Sequence, residues 1–201
     1  MHPLVSAVLL AAGMSRRMGR IKQLLPLGDK EIIRHCLDAI ASAGVGDIVV
    51  VLSPHTFEVA HILPGLNLKV VSNDNPLSEM AESVRVGLRK VDRSATGVLV
   101  CLSDHPLVSP ETIRTLLVLH QSDPEKIIVP AYKGRRGHPS LFPLRRIEAV
   151  FEGLTLREIL SDAPDEVEYV DIEDQGIVLD LDTPEDYRRI RDIYEDQRAA
   201  Q

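Results

Sequence analysis

Two cations, Arg17 and Lys22, stand in a loop that Gly13 and Ser15 open and Gly19 interrupts, directly behind the apolar run Val5–Leu10. Those residue types in that order suit a triphosphate. Glycines let backbone N–H groups approach phosphate oxygens closely. The two cations neutralise charge that main-chain dipoles leave uncovered. In full the segment reads Leu9-Leu10-Ala11-Ala12-Gly13-Met14-Ser15-Arg16-Arg17-Met18-Gly19-Arg20-Ile21-Lys22, a GxSxRMGxxK pattern behind LAAG. A P-loop requires closer glycines with Lys-Ser/Thr after the second, and a dinucleotide fingerprint requires GxGxxG. Neither is present. The plainer alternative is a surface loop with incidental basic residues.

Carboxylates form the second group. Ser103-Asp104-His105-Pro106 follows the apolar run Gly97–Leu102, and Asp180-Leu181-Asp182-Thr183-Pro184 closes the run that begins at Ile177. On a strand, residues two apart share a face, which would bring Asp180 and Asp182 together. Mg²⁺ takes one or two protein carboxylates and completes its octahedron with water and phosphate oxygens. Either aspartate could instead cap the helix that follows it. Like charges held together repel, so removing one is expected to leave stability unchanged or slightly raised. A third group, Lys133-Gly134-Arg135-Arg136-Gly137-His138-Pro139, sets cations among glycines and could meet an anionic substrate. Its plainer reading is a solvated basic turn.

The elements that must position these groups alternate. Leu4–Leu10, Ile48–Leu52, Leu68–Val71, Gly97–Leu102 and Lys126–Pro130 are expected strands; Glu31–Ala43, Thr56–Ile62, Ser78–Val91 and Pro110–His120 are expected helices. That alternation means βαβ units and a mostly parallel twisted sheet with helices on both faces. In such sheets ligands lie beyond the carboxyl ends of the strands, where these motifs fall. Residues 131–143 are expected to form a hairpin or a small extended flap. Residues 144–151 and 155–161 are expected as short helices, Val167–Val170 and Ile177–Leu181 as further strands, and a last helix starts at Thr183-Pro184. A single α/β domain over residues 1–201 is the expectation.

Composition narrows the partners. A net charge of −7 argues against general nucleic-acid binding, which needs a broad basic surface. Aromatics at 3% with no Trp leave an aliphatic core. Cys36 and Cys101 form neither a disulfide framework nor a zinc motif. No apolar run approaches the ~20 residues of a membrane span, so a cytoplasmic location with no membrane partner is expected.

The opening loop resembles that of the MobA-like nucleotidyltransferases, in particular the molybdenum cofactor cytidylyltransferases, and the likeness recurs in order along nearly the whole chain. That family carries Asp-x-Pro after its fourth strand, matched by Asp104-His105-Pro106, and its cytidylyltransferases end in the D-x-D-T-P-E-D found at Asp180–Asp186. The resemblance implies a Rossmann-like, GT-A-type fold and Mg²⁺-dependent transfer of a nucleotidyl group. The acceptor it implies is a phosphorylated one, molybdopterin or molybdenum cofactor, with a molybdoenzyme or its maturation chaperone as partner. By resemblance Arg17, Lys22 and Asp104 are catalytic. Leu10, Ala11, Ala12, Gly13, Lys22, Asn73, Met80 and Ser83 hold the nucleotide, and Arg136, Gly137 and His138 meet the acceptor. Asp104 is the principal metal ligand, with Asp182 or Asp180 the second. LAAG in place of LAGG points to CTP. The chain departs from the family pattern at Glu79, Glu82, Ser103 and His105. Two rival functions stay open: a nucleotidyltransferase for a sugar or polyol phosphate, and a nucleotide-binding regulatory module without turnover.

Overall fold

The computed structural model describes residues 4–75 and 79–199. Alternation along the central strand sets the layers. In β1 (Val5–Leu10), Val5, Ala7 and Leu9 face one apolar layer while Val8 and Leu10 face the other, as a period of two demands. Ser6 is buried as well, and donates to the Asp47 carboxylate at 2.6 Å. A 3₁₀ turn at Lys22–Leu24 and a small ribbon of β2 (Pro26–Leu27) and β3 (Lys30–Glu31) then lead into α1 (Ile32–Ser42). Next come β4 (Asp47–Leu52), β5 (Lys69–Ser72), α2 (Met80–Leu88), β6 (Gly97–Leu102), α3 (Pro110–Ser122) and β7 (Ile127–Tyr132). Ser109 caps α3 by accepting from the Thr112 amide at 3.1 Å, with Pro110 at the first helical position.

The remaining strands are β8 (Arg135–Arg136), β9 (Ser140–Pro143) and β10 (Val167–Asp171); the remaining α-helices are α4 (Leu144–Ile147), α5 (Leu156–Asp162) and α6 (Pro184–Ala199). The main sheet runs β10-β7-β9-β6-β1-β4-β5, with β8 paired to β7. Strands β6, β1, β4 and β5 are parallel, as are β7 and β10, while β9 is antiparallel to both neighbours. Ile33 and Ile40 of α1 pack one face beside Ile113 and Leu116 of α3. Val84 and Leu88 of α2 pack the other with Ile147 and Ile159. This is the expected α/β sheet with helices on both faces. Helix α2 seats tightly because it carries Gly87: a Cβ there would meet Val8 Cγ1 at 2.5 Å. No helix among the described residues is long and apolar enough to cross a membrane.

Three segments differ from the sequence expectation. Phe57–Ile62 is 3₁₀ rather than α, and follows a turn in which Thr56 Oγ1 accepts from the Ser53 amide at 2.9 Å. Residues 131–143 take the hairpin alternative at their start and not the flap, and continue into a core strand. Lys133 and Gly134 both take positive φ at a tight hairpin tip, Arg135 and Arg136 project, and Ser140–Pro143 is wholly buried between β6 and β7. Glycine and proline density hid a core strand. The segment 177–181 is not a strand either: a 3₁₀ turn spans Gln175–Val178. Gly176 lies so close to the loop after β6 that a Cβ would meet the Leu107 carbonyl oxygen at 2.2 Å. From there the Leu181 amide donates to the Asp104 carbonyl at 3.0 Å. Of the helix expected from Ser78, the first residue lies outside the described residues, and α2 begins at Met80.

Candidate active site

Lys22 is the hub. Its Nζ lies 2.7 Å from Asp104 Oδ2 and 3.0 Å from Asp182 Oδ1, and Arg17 reaches Asp182 Oδ2 at 2.7 Å. The Lys22 side chain is only 8% exposed, so its ammonium needs partners. Burial alone would push its pKa down, but Asp104 and then Asp182 outweigh it and hold the ammonium above its ordinary value. The loop is built for this placement. Ser15, at φ +47, turns the chain, accepts from the Met18 and Gly19 amides, and presents its Oγ to the Lys22 amide at 3.3 Å. Gly19 sits at φ +66, a conformation that L side chains rarely adopt.

Neither aspartate caps a helix. Ser109 caps α3, and the start of α6 is satisfied by Thr183 and Asp186, whose carboxylate accepts from the Thr183 amide at 2.8 Å. Asp182 reaches Lys22 because its segment is laced to the Asp104 loop, not because it shares a strand face with Asp180. Asp180 is exposed and takes no part in the cluster. The strand-face pairing of Asp180 with Asp182 is therefore corrected: without a strand there is no common face. Asp104 Oδ1 is buried and accepts no hydrogen bond among the described residues, with His105 Nε2 3.8 Å away. An orphaned carboxylate oxygen beside a second carboxylate is a donor set that fits a hard cation.

A pocket of about 240 Å³ opens beside the cluster. Of the expected nucleotide residues, Leu10, Ala12, Gly13, Lys22, Met80 and Ser83 line it, together with Asp104. Ala11 does not: its side chain is buried in the core. Asn73 stands behind the wall, donating to Ser83 Oγ at 3.0 Å. Arg17 lines an adjoining cleft with Gly13, Lys22 and Asp182. Sequence reasoning missed Gln23 and Ser53. Gln23 donates to Ser103 Oγ at 3.2 Å, and Ser53 donates to the Ala12 carbonyl at 2.9 Å, fixing the LAAG backbone. Ser53 directly follows β4, so its place at a strand's carboxyl end was the signal available.

The expected acceptor residues do not line this pocket. Arg136 is exposed and stacks 4.4 Å over Tyr169. Gly137 is pressed onto Ile177, whose carbonyl oxygen a Cβ would meet at 2.5 Å. His138 lies edge-on to His105, ring centroids 5.6 Å apart, behind Asp104. Burial, and then the neighbouring His105, push the His138 pKa down to about 4. Burial lowers that of His120 too. Both are therefore neutral in the fold and bind protons more readily unfolded. Their stability contribution is complete above about pH 6.5 and is lost as pH falls toward the folded values, up to about 3 kcal/mol for His138. Thermal melts between about pH 7.5 and pH 5 check this. The midpoint should fall with acidification in that window, above the range where Asp47 and Asp186, with lowered pKa values, begin to protonate. A flat or rising midpoint would contradict the assignment.

Residues 7–166 match the MobA-like NTP transferase domain. The chain is 30% identical to the nicotine blue oxidoreductase of Paenarthrobacter nicotinovorans, over 94% of this chain and 97% of that one. It is also 30% identical to a probable molybdenum cofactor guanylyltransferase of Natranaerobius thermophilus, over 65% of this chain and 62% of that protein. Among solved structures, a nucleotidyl transferase from Methanothermobacter superposes with a TM-score of 0.84 at 25% identity, covering 96% of this chain and 99% of its own. Rv0371c of Mycobacterium tuberculosis H37Rv, in complex with manganese, gives 0.73 at 27% identity, covering 96% of this chain and all of its own. With its match over most of its length and its GT-A-like sheet, the chain belongs to the MobA-like NTP transferase family.

Proposed function

We propose that this chain moves a nucleotidyl group from an NTP, CTP, to a phosphorylated acceptor, molybdopterin or molybdenum cofactor, and that a molybdoenzyme or its maturation chaperone receives the product. An acceptor phosphate oxygen forms a bond to the α-phosphorus, the α–β bridging P–O bond breaks, and pyrophosphate leaves with the electron pair. A phosphate monoester is largely dianionic near neutral pH, so no strong general base is required. Positioning and charge neutralisation then carry the rate. The observation that carries this reading is Lys22, an almost buried ammonium held by two carboxylates in the lining of a pocket of about 240 Å³.

Charge counting supports a cation. Arg17 and Lys22 are matched one for one by Asp104 and Asp182, so the cluster has no positive charge to spare for a triphosphate. Asp104 and Asp182 would hold Mg²⁺, which supplies Lewis-acid stabilisation of the α-phosphate. With the carboxylates so engaged, Lys22 and Arg17 would be the cations available to the leaving pyrophosphate. The manganese in the Rv0371c structure supports a divalent ion here.

The test is pyrophosphate release with each of four NTPs, Mg²⁺ and a panel of phosphorylated acceptors that includes sugar and polyol phosphates. A parallel arm follows oxidation or reduction of nicotine blue, because the relative similar over nearly its whole length is named a nicotine blue oxidoreductase. Pyrophosphate that requires NTP, Mg²⁺ and acceptor together supports the proposal, and its identity fixes which acceptor. NTP binding without release under any acceptor supports a regulatory module instead. Oxidation or reduction without pyrophosphate overturns the proposal. CTP is expected to outcompete GTP, because Ala12 narrows the pocket with a side chain where the guanylyltransferase pattern has glycine. Equal or inverted affinity in direct competition would refute that preference.

A further inference from the structure

Two carboxylates line the pocket, and only Asp104 is paired with Lys22; the other has the wrong charge for phosphate. That other, Glu79, is exposed and makes no hydrogen bond or ion pair through its carboxylate among the described residues. Its backbone is extended ahead of α2, and its carbonyl, not its side chain, accepts from the Glu82 amide at 3.1 Å. Beside it Met80 is 51% exposed on the same pocket wall. Lys22 is the one cation among the pocket's described lining residues, and it is tied to Asp104 after β6. Glu79 enters instead from the loop after β5, and β1 and β4 separate those two strands in the sheet. Three strand intervals amount to about 14 Å.

A carboxylate repels phosphate, so a nucleotide must lie with its triphosphate toward Lys22 and Arg17. The part that meets Glu79 must then offer hydrogen-bond donors. Cytosine presents its exocyclic amino group, whereas uracil, nearly the same shape, presents a carbonyl oxygen at that position. Acceptance from the cytosine N4 amino group is the pairing that glutamate makes. Ribose hydroxyls are donors as well, but they are identical in the two nucleotides. Resting on the nucleotide-transfer reading of this pocket, we propose that the Glu79 carboxylate accepts from the exocyclic amino group of the base and makes the pocket select cytosine over uracil. Met80, exposed on the same wall, offers its thioether to the face of that base.

Calorimetric titration of CTP, UTP and inorganic tripolyphosphate, each with Mg²⁺, into wild type, Glu79→Gln and Glu79→Ala tests this. Wild type should bind CTP on the order of 10-fold more tightly than UTP. Both variants should bring the two affinities within about twofold while tripolyphosphate affinity stays the same or rises, since a like charge has been removed. A wild-type ratio near one overturns the proposal, as does a ratio kept in both variants. Equal weakening of CTP and UTP in Glu79→Ala overturns it in favour of a ribose contact. If the wild type binds none of the three ligands, the nucleotide reading itself fails, a result separate from any of these.

Discussion

Asp104→Ala is expected to lower turnover about 10³-fold or more. A cation placed on the α-phosphate contributes several kcal/mol of transition-state stabilisation, and about 4 kcal/mol corresponds to 10³ in rate. Asp104 has the features of the principal ligand: one oxygen on Lys22 at 2.7 Å, the other buried and unpartnered. Asp182→Ala should act in the same direction with a smaller loss, since that side chain is more exposed and also pairs with the exposed Arg17. Apo stability should fall in both variants, contrary to the sequence expectation of relief from repulsion. The reason is Lys22, which stands between the two carboxylates and would be left under-paired in a nearly buried position. Stability alone therefore does not separate a metal ligand from a structural ion pair. The discriminating readout is the additional thermal shift given by Mg²⁺ plus nucleotide, which should vanish in Asp104→Ala. A variant of lower apo stability that keeps the full wild-type shift would show Asp104 to be structural.

Lys22→Ala is expected to reduce turnover by about 10²- to 10³-fold, the scale of losing one preorganised electrostatic group. Its ammonium is held charged by its two carboxylates, so the loss should not vary across the ordinary assay range. Lys22→Met keeps the volume and separates charge from packing: it should be about as inactive as the alanine variant. Arg17→Ala should cost less, because Arg17 is 70% exposed and its field is screened by water. Near-normal turnover in a folded Lys22→Met protein would contradict the assignment.

The main-sheet strands up to residue 130 were legible because each buried run is aliphatic and short, whereas the two-residue strands of the β2–β3 ribbon and the 3₁₀ form of Phe57–Ile62 were not. In Val5–Leu10 and Gly97–Leu102 both faces are covered, so hydrophobicity is continuous and its ends mark the strand. Beyond residue 130 local signals pointed the wrong way. Ser140–Pro143 holds two prolines' worth of punctuation with Pro139, yet Leu141 and Phe142 are at the centre of the sheet. Ile177–Leu181 has the composition of a strand but is held by contacts to Gly137, His138 and Asp104, residues remote in sequence. The same limit applies at the site. Asp104 closely follows the end of β6, and Arg17 and Lys22 stand in the glycine-bearing loop that follows β1, so all three could be read from the chain. The choice between Asp180 and Asp182 depends on tertiary lacing that no local period encodes. Arg136 and Gly137 have the right chemistry for an acceptor, but in this structure one stacks on Tyr169 and the other packs on Ile177.

A cation-dependent triphosphate site centred on Lys22 is tested most directly by equilibrium titration of CTP, with and without Mg²⁺, into wild type and Lys22→Met. The predicted result is saturable binding by the wild type that requires Mg²⁺, weakened at least about tenfold in Lys22→Met, since the lost contact is a charge-assisted one. Binding that is indifferent to Mg²⁺ and equal in the two proteins would contradict it.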